Sequence, residues 1–210
     1  MSDIWIFREP RVGGTGFVEL ISNHLSRIPQ FVGKDDSNFA HPIRNSKSLV
    51  FNAHDFTNLK YVYLYEDPFI IRLYRKDKVE QILSHLVAAW YVASFPKDGR
   101  WNLRPDNMNQ ETIDNLGKLK PTIIPKAQVQ DLFDTYTYSE NTWKSYSSLY
   151  PSREICYEDI CLGVDIPEIG VYNVKIDETS TTLKLPNLKR HVILNYDMVV
   201  KWIKDFYNID

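Results

Sequence analysis

The stretch from Ile4 to Leu25, IWIFREPRVGGTGFVELISNHL, constrains the fold more than any other part of the chain. Ile4 to Phe7 is a short, bounded apolar run of the kind a buried strand shows. Phe17, Leu20, Ile21 and His24 or Leu25 then recur on one face of a helix. Between them lies Pro10-Arg11-Val12-Gly13-Gly14-Thr15-Gly16, with three glycines in four positions. Glycine lets successive backbone N–H groups converge on one oxyanion, and the start of the following helix adds its partial positive charge. Arg11 supplies a full charge beside them. The triphosphate loop GxxxxGK[ST] is absent, since no lysine follows the second glycine. An ordinary strand-to-helix turn is the alternative for this stretch taken alone.

Charge restricts the partners. Lys plus Arg number 25 against 27 for Asp plus Glu, so no global basic field draws in nucleic acid, and any anion site must be local. The only cysteines, Cys156 and Cys161, are too few for a disulfide framework and lack partners for structural zinc. No metal is expected, and a reducing, cytoplasmic setting follows. The leading residues do not read as a signal peptide, and no apolar run is long enough for a bilayer, so no membrane association is expected. With 210 residues the chain reads as a single domain, 1–210. It carries no signal of oligomeric state.

Residues 28–48 are polar and broken by Pro29, Gly33 and Pro42, which predicts a long loop with little regular structure. Ser48 to His54 is a second strand candidate, with His54 at its carboxyl end. Asp67 to Arg75 is a third, after which Asp77 caps a helix carrying Val79, Ile82, Leu83, Leu86, Val87 and Trp90 at helical spacing. Arg75 and Ser84, nine positions apart, are candidates for a second anion; a surface ion pair and a small packing residue are the plain alternatives. Gln110 to Leu119 suggests a short helix, and Pro125 starts a long aromatic one reaching to about Tyr150. Arg153 to Tyr157 is a fourth strand, Pro167 to Lys184 a hairpin or irregular layer, and Asn195 or Asp197 caps a final helix with Val199, Val200, Ile203 and Phe206 inside. Strands alternating with helices indicate an α/β three-layer sandwich around a mostly parallel sheet. Both anion candidates lie at strand-to-helix junctions, hence on one sheet edge, as a nucleotide with two separated phosphate-like groups requires.

Four segments resemble the PAPS-dependent sulfotransferases, which have a P-loop nucleoside-triphosphate-hydrolase-like fold, and they span nearly the whole chain. Pro10 to Thr15 is similar to that family's 5′-phosphosulfate loop, with Val12 and Gly14 where hydroxyl residues are common. Leu73 to Ser84 resembles the 3′-phosphate motif in the RxDxxxQxxS form of the trehalose-sulfotransferase-like bacterial branch. Ile155-Cys156-Tyr157-Glu158-Asp159-Ile160 looks like the TYEDL segment, and Asn195-Tyr196-Asp197 resembles NYDEL.

The resemblance implies sulfuryl transfer from PAPS to a hydroxyl of a carbohydrate or small-molecule acceptor. Arg11, Val12, Gly13, Gly14, Thr15 and Gly16 would hold the 5′-phosphosulfate, Arg75 and Ser84 the 3′-phosphate, and Tyr157 the adenosine. Phe51-Asn52-Ala53-His54 looks like the strand end whose histidine accepts the acceptor proton, with Asn52 in place of a lysine. The bacterial branch uses a glutamate after the first helix, where this chain has Asp35 and Asp36. His54 is therefore the expected base and Asp36 its alternative, with Arg11 at the reacting group. Two other readings stay open: a small-molecule kinase, against which the missing lysine argues, and a non-catalytic nucleotide-binding protein of the same fold.

Overall fold

A computed structural model of the chain describes residues 3–10, 14–27, 29–32, 50–53, 56–65, 67–98, 110–176 and 188–209. In chain order they form β1 (Ile4–Arg8), α1 (Gly14–His24), β2 (Pro29–Val32), β3 (Val50–Ala53), a 3-10 turn (Phe56–Asn58) running into α2 (Leu59–Val62), β4 (Phe69–Tyr74) and α3 (Lys78–Ser94). There follow α4 (Gln110–Gly117), α5 (Lys126–Tyr146), β5 (Ser152–Cys156), α6 (Tyr157–Leu162), β6 (Val164–Ile166), β7 (Val171–Val174), α7 (Leu188–Val192) and α8 (Tyr196–Tyr207). Two compact units result: Met1–Lys76 with Tyr136–Ile176, and Asp77–Thr135 with Asp177–Asp210.

The first unit holds a five-stranded sheet in the order β2-β3-β1-β4-β5, every pair parallel. Parallel strands with both faces covered read as continuous apolar runs, and β1 is buried at all five positions. The side chains divide by the strand period of two. Ile4, Ile6, Val50, Ile71, Leu73 and Ile155 face one way, against Phe17, Val18 and Ile21 of α1 and Ile160 of α6. Trp5, Phe7, Phe51, Ala53 and Ile70 face the other, against Leu59 and Val62 of α2 and Trp143 of α5. On this second face Trp5 stacks on Phe51 at 4.2 Å, with the Tyr65 ring set edge-on to both. The chain is thus α/β, with helices on both faces of a parallel sheet. β6 and β7 pair antiparallel as a small separate hairpin.

Several expectations are corrected. The predicted structureless loop contains β2, an edge strand parallel to β3. Proline is tolerated at the first residue of an edge strand, where its missing N–H breaks no ladder, and Pro29 occupies that position. Tyr157 does not end β5 but opens α6. The aromatic helix stops at Tyr146, and the chain tightens into a 3-10 turn at Ser147–Leu149. The segment Phe56–Val62 is helical without having been foreseen.

The second unit is helical. Asp77 caps α3 as predicted, its carboxylate accepting from the Glu80 N–H at 2.8 Å. Tyr91 of α3 packs with Leu116 of α4, Phe95 and Leu188 of α7, while Phe133 of α5 meets Phe206 and Tyr207 of α8. Asn195 precedes α8, but its side chain makes no cap bond; its amide instead pairs with both backbone groups of Ile124. Of the predicted inner side of α8, Val199 and Ile203 are fully buried and Val200 and Phe206 partly so. Among the described residues no helix is long and apolar enough to cross a membrane.

Candidate functional site

The strand order itself marks a site. From β1 the chain reaches the edge as β2, returns as β3 beside β1, and then crosses to β4 on the other flank. β1 is therefore where the connections change direction, and in open α/β sheets ligands bind at the carboxyl ends of the strands flanking such a point. The glycine segment leaves β1 at that end. Gly14, Thr15 and Gly16 form the first turn of α1, an 11-residue helix whose first turn carries no acidic residue. Their N–H groups include those with no partner inside the helix, and they point the positive end of the helix toward the sheet edge. Arg11, Val12, Gly13, Asp36 and His54 lie outside the described residues.

Arg8, the last residue of β1, and Glu9, just beyond it, are each bound to a different neighbouring strand. Arg8 Nε donates to Asn52 Oδ1 of β3 at 2.6 Å, both side chains buried. Glu9 receives Arg72 of β4 at 3.1 Å, the two side chains only 1 % and 5 % exposed. Arg72 also donates to Glu154 of β5 at 3.2 Å, and the Trp143 indole N–H completes that carboxylate at 2.6 Å. Buried charges persist only when paired and hydrogen-bonded, so these contacts fix the strand ends on both flanks of the glycine segment. Asn52 Nδ2 and Arg72 Nε are buried without a hydrogen-bond partner. Sequence reasoning missed Arg8, Glu9 and Arg72 as site-supporting residues; charged residues inside otherwise apolar strand runs were the available signal.

A second cluster lies at the ends of β4 and β5. Arg75 sets its guanidinium over the Tyr157 ring at 5.0 Å, with Nε 3.6 Å from Glu158 Oε1. Glu158 Oε2 accepts from the Lys76 backbone N–H at 3.1 Å and from the Cys156 thiol at 2.6 Å. Lys76 reaches Asp159 at 3.3 Å, and that hydrogen bond is the first cause raising its pKa. Burial, then the hydrogen bond to Glu158, pushes the Cys156 thiol above its ordinary value. The thiol acts here as a hydrogen-bond donor, the role its protonated form favours.

Ser84 is buried in α3, in the second unit. Its hydroxyl donates to Glu80 Oε1 at 3.2 Å, and the same oxygen accepts from Lys189 of α7. Of the predicted residues, the first unit thus brings Arg75 and Tyr157 into direct contact and puts Gly14, Thr15 and Gly16 at a helix start. Ser84 already holds an anionic oxygen. Among the described residues no group of three or more His, Cys, Asp or Glu is placed to hold a metal ion. The arrangement offers a helix N-terminus and a cation stacked on an aromatic ring, groups suited to an anion and a planar base. No protein-family model, curated protein or solved structure matches the chain.

Proposed function

We propose that this chain is a PAPS-dependent sulfotransferase with a three-layer, P-loop-like fold, acting on a hydroxyl of a carbohydrate or small-molecule acceptor. The observation that carries the reading is the contact of Arg75 with Tyr157 at the ends of neighbouring strands. These are the residues that the resemblance allots to the 3′-phosphate and the adenosine. The glycine segment at the change of strand direction adds support, because a 5′-phosphosulfate needs backbone donors and a helix N-terminus.

In this reading the segment Arg11–Gly16 holds the phosphosulfate, Arg75 and Ser84 take the 3′-phosphate, and Tyr157 lies along the adenine. The acceptor oxygen attacks sulfur, the bond from sulfur to the 5′-phosphate oxygen breaks, and the acceptor proton passes to His54, or to Asp36 if His54 proves dispensable. The products are the sulfated acceptor and adenosine 3′,5′-bisphosphate.

Calorimetric titration with adenosine 3′,5′-bisphosphate tests the reading. Binding is expected, weakened in Arg75→Ala by about 1.5–3 kcal/mol, the scale of a hydrogen bond to a charged group. No heat at millimolar ligand would overturn it. Binding that requires magnesium would point instead to a nucleoside-triphosphate enzyme, and binding with no transfer of labelled sulfate to any acceptor in a broad panel to a non-catalytic protein of this fold.

A further inference from the structure

We infer that Lys189 is a phosphate ligand together with Ser84, and that Glu80 is an internal carboxylate holding the place of that phosphate until the nucleotide arrives. The inference rests on the sulfotransferase reading, which allots Ser84 to the 3′-phosphate. The observation behind it is convergence on one atom: Glu80 Oε1 accepts both from the Ser84 hydroxyl, at 3.2 Å, and from the Lys189 ammonium. A hydroxyl and an ammonium aimed at one anionic oxygen are the donors that a phosphate oxygen takes.

Helix geometry alone brings Ser84 to Glu80, one turn apart on α3, but it does not bring Lys189 there. Lys189 comes from α7, 109 residues further along the chain. Of the three basic residues in the last turn of α7, Arg190 is committed elsewhere, pairing with Asp197 at 3.1 Å and lying over the Tyr196 ring. Lys189 is the one that turns toward α3. A mid-helix serine commonly donates to a backbone carbonyl of the preceding turn; Ser84 donates instead to the Glu80 carboxylate, so its hydroxyl points at charge. Next to the pair, Lys78 donates to Gln81, and Asp77 is engaged with the Glu80 N–H.

The pair is also reversible. The side chains of Lys189 and Glu80 are 22 % and 37 % exposed, so Glu80 can rotate into water at little cost. A phosphate dianion carries more charge and more acceptor oxygens than a carboxylate, and displaces it. Glu80 is then a competitor of the ligand, and removing its charge favours binding. A purely structural Glu80–Lys189 tie gives the opposite sign, because losing it loosens α7 and weakens binding.

Titration of the full chain with adenosine 3′,5′-bisphosphate, and with adenosine 5′-phosphate as the probe lacking the 3′ group, separates these cases. Lys189→Ala is expected to weaken the bisphosphate about tenfold or more and to leave adenosine 5′-phosphate unchanged, with Lys189→Arg restoring most of the loss. Glu80→Gln is expected to tighten the bisphosphate about threefold. Weaker bisphosphate binding in Glu80→Gln, or equal losses for both probes in Lys189→Ala, overturns the inference and leaves the sulfotransferase reading standing. If the wild-type chain binds neither probe, that reading fails and takes this inference with it.

Discussion

Two of the sheet's strand-to-helix junctions, those after β1 and β4, are held in different ways. Where β1 leads toward α1, the supporting contacts lie inside the protein: Glu9 with Arg72, and Arg8 with Asn52. Where β4 leads toward α3, Arg75 and Lys76 are held by Glu158 and Asp159, side chains that water reaches. The chemistry is similar, carboxylates against cations, but the surroundings are not. A buried pair is unforgiving, because losing one partner strands a charge away from water, whereas an exposed pair relaxes into solvent. The first junction is therefore built for fixed geometry, which the proposed phosphosulfate loop would need if it holds its ligand by backbone groups. The second is built from side chains that can exchange a protein partner for a ligand.

The largest effect should come from breaking the first junction. Arg72→Ala takes from the buried Glu9 its 3.1 Å ion pair, and a loss of about 3–5 kcal/mol is expected in urea unfolding. Arg72→Met, which removes the charge and keeps the bulk, should still be strongly destabilising while Glu9 is present, and Glu9→Gln in the same chain should recover part of the loss. A loss below about 1 kcal/mol in Arg72→Ala would remove the contrast between the junctions. At the second junction, Glu158→Ala removes the acceptor of the Lys76 N–H and should cost no more than about 1.5 kcal/mol. Its larger consequence is predicted in binding, since Arg75 loses the carboxylate beside its guanidinium; unchanged affinity for adenosine 3′,5′-bisphosphate would show that Glu158 does not position Arg75.

Further along the same connection, Asp77→Ala removes the cap of α3. The carboxylate satisfies one orphan N–H at the helix start, and about 1 kcal/mol of stability should go with it. Asp77→Asn should retain most of that contribution, because the amide oxygen still accepts. A loss of the same size in both variants would mean that charge, and not the hydrogen bond, is what the cap supplies.

The asymmetry between the junctions also governs what could be read in the sequence. Strands buried on both faces leave apolar runs, so β1, β3 and β4 were visible that way, whereas the edge strand β5 opens with the polar Ser152, Arg153 and Glu154 and showed itself only by Ile155 and Cys156. β2 was not visible, because it is four residues long, begins at Pro29 and continues into polar sequence. The residues of the second junction were legible because they sit in two short local patterns, Arg75 with the Asp77 cap and Ser84 at fixed spacing and a TYEDL-like segment after β5, although the contacts between the two patterns span 82 and 83 residues. Those of the first were not. Arg8 and Asn52 stand 44 residues apart and Glu9 and Arg72 stand 63 apart, and only the parallel register of β1 with β3 and β4 brings them together. Lys189 was hidden for the same reason, since nothing in its own neighbourhood points to Glu80.

The smallest predicted effect concerns how the second junction responds to alkali. Cys156 is buried and donates to Glu158, so burial first and the carboxylate second raise its pKa above the ordinary 9.0. The folded state favours the neutral thiol, whereas the unfolded chain ionises near the ordinary value. The stabilisation is therefore fully present below pH 9.0 and is lost as pH rises through the higher folded value. Burial likewise raises the pKa of Tyr65, to about 12, so the wild type alone cannot assign the loss to one group. The difference between wild type and Cys156→Ala does: below pH 9.0 it should be a constant offset from the lost side chain, and above it the gap should narrow as the wild type weakens. A gap that stays constant into alkali would mean that the thiol contributes packing alone, and that the Glu158 carboxylate holds Arg75 and Lys76 without help from its hydrogen bond to Cys156.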